Sequence, residues 1–365
     1  KKMLITGTGR CNITNSTNIQ GFVANIPVNG KFLYSAFSAF SNWDIVAMLE
    51  ELGVPTKVER GNRIFPKSDR SRDVVDALTR AVIESGTKIV RDEVVKIVSR
   101  EGRVSHVELK GGQRLYCDSV IVATGGLSYP KTGCTGDGYR FAKANGHKVV
   151  PTTPALVPLE TYESWVKDVQ GLSLKNVQIV LVDENENKIY EDFGEMLFTH
   201  FGVSGPIILS ASSYIHNLNK NKYKLIIDLK PALSMEKLDR RLQRDFEKYS
   251  RKIFSNSLCD LLPRALIPVV IELSGILPSK EVNQITREER LSLAHLLKNM
   301  ELNIKSFRPI EEAIVTSGGV DTKEIDPKTM ESRLIDGLYF AGEVIDVSGY
   351  TGGFNLQIAF STGYL

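Results

Sequence analysis

The stretch Ser119-Val-Ile-Val-Ala-Thr-Gly-Gly126 decides the fold class. Val120–Ala123 is a short β-branched apolar run without polar alternation, the pattern of a strand buried on both faces of a parallel sheet, and it ends in paired glycines. A second stretch in the same style, Gly337-Leu-Tyr-Phe-Ala-Gly-Glu343, comes near the end of the chain. Gly349, Gly352 and Gly353 follow it, and a helix is expected from Phe354. Upstream, Glu93–Ser99, Val104–Lys110 and Arg114–Cys117 read as a β-meander, separated by the turn signals Glu101-Gly102 and Gly111-Gly112, with a further short strand at Lys88–Val90. Asn42–Leu52 and Ser71–Ser85 show helical apolar stripes, the first capped by Ser41 and followed by Gly53. Gly133-Cys-Thr-Gly-Asp-Gly138 opens a helix over Asp137–Ala144.

The middle of the chain differs. Pro151 and Pro154 mark a boundary. Asn176–Val182 and Lys188–Asp192 flank a polar turn as a hairpin, and Met196–Thr199, Lys222–Leu229 and Leu302–Phe307 read as further strands. Met235–Met300 is rich in helix and carries Arg240, Arg241, Arg244, Lys248, Arg251 and Lys252, most simply a solvated face. An α/β style that stops, gives way and returns is the mark of an inserted domain.

Composition narrows the function. The 365 residues suit two or three domains. With 42% hydrophobic and 24% charged residues the chain is an ordinary globular one, and no apolar run is long enough to span a membrane. Lys plus Arg number 46 against 43 acids, a net charge of +3, too small and too evenly spread to argue for nucleic acid, and no nucleic-acid partner is expected. Cys11, Cys117, Cys134 and Cys259 lie far apart, without the spacing of a metal site or a disulfide framework, which fits a reducing, cytoplasmic setting. No metal is expected, and nothing in the sequence sets the oligomeric state.

Glycines at strand ends let backbone approach a ligand and present bare N–H groups, and a helix that starts there adds its positive end. Three places qualify: Gly7-Thr-Gly9-Arg10, Thr124-Gly125-Gly126, and Gly342-Glu343 through Gly352-Gly353-Phe354. In open α/β sheets ligands collect at the carboxyl ends of strands. Glu343 reads equally as an acceptor for polyol hydroxyls and as a solvent-facing loop acid. Gly7-Thr-Gly9-Arg-Cys-Asn12 is not a dinucleotide fingerprint, because no helical run follows it.

Leu4-Ile-Thr-Gly-Thr-Gly-Arg-Cys-Asn-Ile-Thr-Asn15, Ala123–Gly138, Phe198-Thr-His-Phe-Gly-Val-Ser-Gly-Pro206 and Gly337–Asn355 together resemble the bacterial FAD-dependent flavoproteins that include aminoacetone oxidase and BaiN. The resemblance runs in order along the whole chain. It implies an α/β, glutathione-reductase-type FAD-binding domain with an inserted β-barrel-like domain and a small helical domain. Residues 1–155 and 318–365 would form the FAD domain, 156–234 and 301–317 the barrel, and 235–300 the helices. It also implies FAD contacts at Gly7, Gly9, Arg10, Cys11, Asn12, Thr14 and Asn15, with Thr8 in place of the family's middle glycine. Val95 would offer backbone to the adenine, Thr124, Gly125 and Gly126 would approach the ADP half, and Gly342 and Glu343 would meet the ribityl hydroxyls. Gly352, Gly353, Phe354 and Asn355 would lie under the flavin, where a helix start stabilises reduced, anionic charge. Family members begin with a βαβ unit carrying GxGxxG, and Lys1-Lys2 resembles the stretch beyond it. A protein truly lacking that unit is expected to retain FAD poorly.

The cofactor performs the electron transfer in such proteins. His200 is either a pocket residue or a histidine bonded to turn backbone. Tyr350 either covers the flavin ring or packs on the barrel. Cys11 reads as a packing residue rather than half of a redox pair. His106, His147, His216 and His295 carry no hypothesis. The expected function is an FAD-dependent oxidoreductase acting on a small organic substrate by hydride transfer to flavin N5. It would be an oxidase of the aminoacetone type or a reductase fed transiently by NAD(P)H. The alternative is a non-catalytic flavoprotein, a redox sensor or binding module that works through the inserted domains.

Overall fold

In the computed structural model, which describes residues 1–215, 218 and 220–365, Val120–Val122 pairs in parallel with Leu338–Phe340. His216 lies outside the described residues. The pairing sets two sequence-distant glycine turns, Thr124–Gly126 and Gly342–Glu343, at the same end of one sheet. The run 120–123 is not buried on both faces. Val122 is buried, but Ile121 is 63% exposed, because successive side chains of a strand point to opposite faces. An unbroken apolar run conceals that difference.

The meander forms as Val94–Arg100, Arg103–Leu109 and Arg114–Tyr116 in antiparallel order. Glu101 and Gly102 both take positive φ at its first turn, the backbone a tight hairpin demands. No strand forms over 88–90, where Ile89 and Val90 are about half exposed. Asn42–Glu51 is a helix with a full capping box between Ser41 and Asp44. Three pairings were not foreseen. Arg63–Pro66 pairs with both Thr14–Asn15 and Thr56–Glu59, and Val149–Ala155 pairs with Val315–Val320.

The chain divides into Lys1–Ala155 with Pro309–Leu365, and Leu156–Arg308. The return to the first unit thus falls at Pro309, before the expected 318, because Val315–Val320 is the strand that pairs with Val149–Ala155. The first unit has two apolar cores. One gathers Phe22, Phe37, Val122, Phe340 and Phe354, and the other Cys11, Ile13, Ile45, Leu49 and Val74.

The second unit is a closed six-stranded barrel. Its strand order is Ser173–Asp183, Lys188–Phe198, Gly202–Ser204, Leu159–Thr161, Met300–Phe307 and Tyr223–Asp228. The expected strand at 196–199 is the continuation of Lys188–Phe198. The helices Met235–Lys248, Ile267–Ser274 and Arg287–Lys298 share one hydrophobic cluster with the barrel: Leu238, Leu242, Phe246, Val270 and Leu293 pack with Ile179, Leu225 and Leu302. Residues 235–300 are therefore part of the barrel unit rather than a domain of their own. Among the described residues no helix is long and apolar enough to cross a membrane.

Candidate cofactor site

The parallel strand pair delivers Glu343 to the Thr124–Gly126 turn. A Cβ built on Gly126 would meet Glu343 Oε1 at 3.1 Å and Thr316 Oγ1 at 2.4 Å, so only glycine lets these segments close. Glu343 Oε1 accepts from the Thr316 N–H (2.8 Å) and from Ser128 Oγ (3.1 Å). Its Oε2 accepts from Lys2 Nζ at 2.7 Å, and the same ammonium donates to Ser128 Oγ at 2.6 Å. The acid is thus an anchored carboxylate, with the ion pair about four-fifths covered from solvent. Thr316 Oγ1 accepts from the backbone N–H groups of Leu127 and Ser128 and so fixes the path after the glycines. Thr124 Oγ1 is buried without a hydrogen-bond partner.

The second cluster joins Asn12, Thr14 and Asn15 to the start of the final helix, Phe354–Tyr364. Asn12 donates to Thr14 O (3.1 Å) and accepts from the Gly353 N–H (2.9 Å). Thr14 Oγ1 donates to Gln357 Oε1 at 2.6 Å. Asn15 Nδ2 donates to Gly352 O at 3.0 Å and to Gly61 O at 3.1 Å. Gly353 has φ +99°, and a Cβ there would sit 2.3 Å from Thr14 C and O. Asn355 holds the preceding loop, accepting from the Gly349 N–H and donating to Gly349 O and Tyr350 O. The first-turn amides of this helix have no helical acceptor, which makes its start a place for negative charge.

Other expected site residues are placed differently. The Cys11 thiol lies in a core and burial pushes its pKa up to about 11, so only its backbone is available to a ligand. Phe354 packs edge-on against Phe22, which likewise leaves its backbone. Arg10 turns away to Glu59 and Asp69 and stacks on Phe65. Gly7 and Thr8 both take left-handed backbone, so Thr8 follows a glycine-like path where the family has glycine. Gly9 also has positive φ and an open side. Val95 lies at a register shift of the meander, and its carbonyl accepts from Arg140 at 2.6 Å. Gly342 donates its N–H to Thr362 Oγ1. His200 is exposed in the barrel unit, its ring edge-on to Phe201.

Lys2, Ser128, Thr316, Gln357 and Asn42 were not foreseen. Ser128 lies within the 123–138 motif and Lys2 in the opening Lys1-Lys2, without a role expected of either; Thr316, Gln357 and Asn42 belong to no motif, and all five reach the site through tertiary pairing. Asn29 and Asp346 form another unforeseen pair. Burial raises the Asp346 carboxyl above the ordinary aspartate range, opposed by the hydrogen bond from Asn29. Among the described residues no group of three or more His, Cys, Asp or Glu converges as metal ligands.

These turns suit the ribityl and flavin half of FAD. An unpartnered buried hydroxyl on Thr124 and the Glu343 carboxylate offer acceptors to hydroxyl groups. Glycines at 125, 126, 352 and 353 let the protein's own segments close tightly on one another, and the start of the final helix offers N–H groups without helical acceptors to negative charge. The geometry therefore describes an α/β unit with a candidate cofactor site and a barrel insertion. The match to known families names it further. Residues 1–365 match the HI0933-like protein Rossmann domain, and the chain belongs to that family of FAD-dependent oxidoreductases. It is 32% identical to 3-dehydro-bile acid delta(4,6)-reductase of Clostridium scindens, over 100% of this chain and 88% of that protein. It is 31% identical to the ribosomal RNA dihydrouridine synthases of Haemophilus influenzae and Escherichia coli, over 100% of this chain and 88% and 87% of theirs.

Proposed function

We propose that the protein is an FAD-dependent reductase that saturates a carbon–carbon double bond conjugated to a carbonyl group. One observation carries this reading: the activities named for its relatives share that chemistry. A 3-dehydro bile acid with delta(4,6) unsaturation is a conjugated ketone, and dihydrouridine differs from uridine by two hydrogens across the ring double bond beside a carbonyl. The aminoacetone type of oxidase has less support, since neither named activity is an oxidation.

Bound FAD would supply the hydride, after reduction by a diffusing NAD(P)H. The chain's own residues would bind and tune. Glu343, anchored by Lys2, Ser128 and Thr316, would accept from ribityl hydroxyls, joined by Thr124. The amides at Phe354 and Asn355 would stabilise the charge of the reduced ring, with Asn12, Thr14 and Asn15 fixing that turn. Preorganised donors of this kind work because they need not reorient as charge develops.

The test is anaerobic. The purified full-length protein should show oxidised-flavin absorbance and release FAD on heating. After reduction by NADPH or NADH, a conjugated enone should reoxidise it faster than its saturated ketone does. Bleaching of the oxidised flavin by aminoacetone, with no response to the enone, would put the oxidase reading first. A flavin that neither class of substrate affects would favour the sensor or binding module.

A further inference from the structure

The loop that carries Gly352 and Gly353 is tied to a segment far away in the chain, residues 25–29. The Tyr350 N–H donates to Asn25 O at 3.0 Å. Val28 and Ser348 form an antiparallel bridge. A Cβ on Gly349 would meet Ile26 Cγ1 at 3.1 Å and Asn25 O at 3.3 Å, so the absence of a side chain lets the two segments close. Asn29 completes the tie. Its Nδ2 donates to Asp346 O at 2.7 Å and to Asp346 Oδ2 at 3.1 Å. Asn29 itself takes left-handed backbone, φ +55°, which asparagine tolerates better than most residues.

Asp346 is the acid in this tie, and it is only 8% exposed. Its N–H donates to Val320 O at 3.0 Å, which fixes its backbone to the strand Val315–Val320. Burial raises its carboxyl above the ordinary aspartate range. The bond from Asn29 opposes that rise, the charge of Asp321 adds to it, and the Gly318 N–H opposes it. Asp321 stays ionised, because the Lys323 N–H and the Lys148 ammonium hold its carboxyl low. Tyr139, on the helix Asp137–Ala144, also feels the Asp346 charge, and burial keeps its phenol protonated. An open cavity of about 540 Å³, lined by Val23, Ile26, Pro27, Asn29, Lys31 and Phe32, brings solvent to Asn29.

We propose that Asp346 is a positioning residue for the flavin-facing loop: clasped by Asn29 it fixes residues 349–353, and the gain or loss of its proton tightens or loosens the protein's hold on FAD. An ionised carboxylate buried beside Asp321 is unfavourable, and releasing it to solvent relieves that cost. In an open clasp the carboxyl titrates at about 4. In the closed clasp it titrates higher. Closure is therefore favoured fully below about pH 4, and that advantage is lost as the pH rises through the higher value. FAD needs the loop in place, so its affinity follows closure. The inference deepens the proposed function by adding a regulation of the same site, and it rests on that reading for the flavin-facing role of the Gly352-Gly353 turn. The clasp itself does not.

The test measures FAD affinity of the full-length protein, by quenching of FAD fluorescence, from about pH 4.5 to about pH 7. Wild-type affinity should weaken by about threefold over that range, and nowhere faster than about tenfold per pH unit, because one proton is involved. Asp346→Asn, which cannot ionise, should hold FAD equally across the range. Asp321→Asn removes the facing charge but keeps an acceptor for the Lys323 N–H. Its fall should be smaller than that of wild type and should end at a lower pH, and it carries the test alone if Asp346→Asn does not fold. Asn29→Ala should weaken FAD at every pH. Hydrogen exchange of the flavin-free protein reads the clasp directly. Amide protection over 346–350, corrected for the intrinsic effect of pH, should fall over the same range in wild type and not in Asp346→Asn. Parallel pH profiles for wild type and Asp346→Asn, or an Asp321→Asn profile identical to that of wild type, would overturn the inference. Protection that falls with pH while FAD affinity stays flat would overturn the link to flavin and count against the flavin-facing turn. The expected pH dependence of FAD affinity in a protein whose reduced flavin ignores an enone would leave this inference standing and remove the reductase reading.

Discussion

Gly353 shows how much a single residue can decide. Its φ of +99° disfavours any side chain, and a Cβ would lie 2.3 Å from the backbone of Thr14, which cannot swing aside as a flexible side chain would. Gly353→Ala should therefore cost about 3 kcal/mol or more and release flavin, whereas Gly9→Ala, with open space around it, should cost only the left-handed strain of about 1–2 kcal/mol. Thermal unfolding and flavin content check both. His147 is a second case. Its Nε2 lies 2.8 Å from Ser332 Oγ, which already accepts from the N–H groups of Leu334 and Ile335. Ser332 must then donate to Nε2, and the ring is neutral with its proton on Nδ1, facing Glu324. Burial depresses the His147 pKa below the ordinary 6.5, more than Glu324 raises it. The unfolded chain takes up the proton more readily, so this contribution leaves stability intact above 6.5 and erodes it as the pH falls through 6.5 toward the folded pKa. His147→Gln should show a shallower loss of Tm than wild type over that range. Equal slopes would mean that His147 titrates normally.

At the scale of elements, legibility followed local signals. The helix Arg287–Lys298 has a capping box in which Thr286 and Glu289 satisfy one another's backbone N–H groups, and Thr286→Ala should cost about 1 kcal/mol in denaturant unfolding. The sequence offers such caps openly, as it offers the glycine-rich strand ends and the Glu101-Gly102 turn. Strands with mixed signals were hidden. Thr56–Glu59 and Arg63–Pro66 lack a clean apolar alternation and carry the charges that mark a surface loop. Val149–Ala155 contains Pro151 and Pro154, which read as a boundary, yet the strand belongs to a two-stranded sheet where proline is tolerated. The misread strand at 88–90 is the converse: β-branched residues with no partner strand. In the candidate site the glycines, Asn12, Asn15 and Glu343 were legible because they sit in motifs. Lys2, Thr316 and Gln357 were not, because each meets the site through a pairing between distant segments.

The largest scale poses the question of independence. Each hydrophobic cluster belongs to one unit, the barrel cluster to Leu156–Arg308 and the other two to the flanking segments. Each sheet does as well. The barrel is closed, so cutting it out exposes no unpaired strand edge, the usual route by which excised β domains aggregate. Its first and last residues are also neighbours, because the Arg308 N–H donates to Pro158 O at 3.0 Å and Arg308 binds Glu160 through its guanidinium. An insertion held closed at its own base need not lean on its host for topology. Leu156–Arg308 expressed alone is therefore expected to unfold in one cooperative transition, with coincident curves from near- and far-ultraviolet circular dichroism. Near-ultraviolet signal lost well before far-ultraviolet signal would show a barrel whose packing depends on the flanking unit, and the division of the chain into two self-sufficient units would fail.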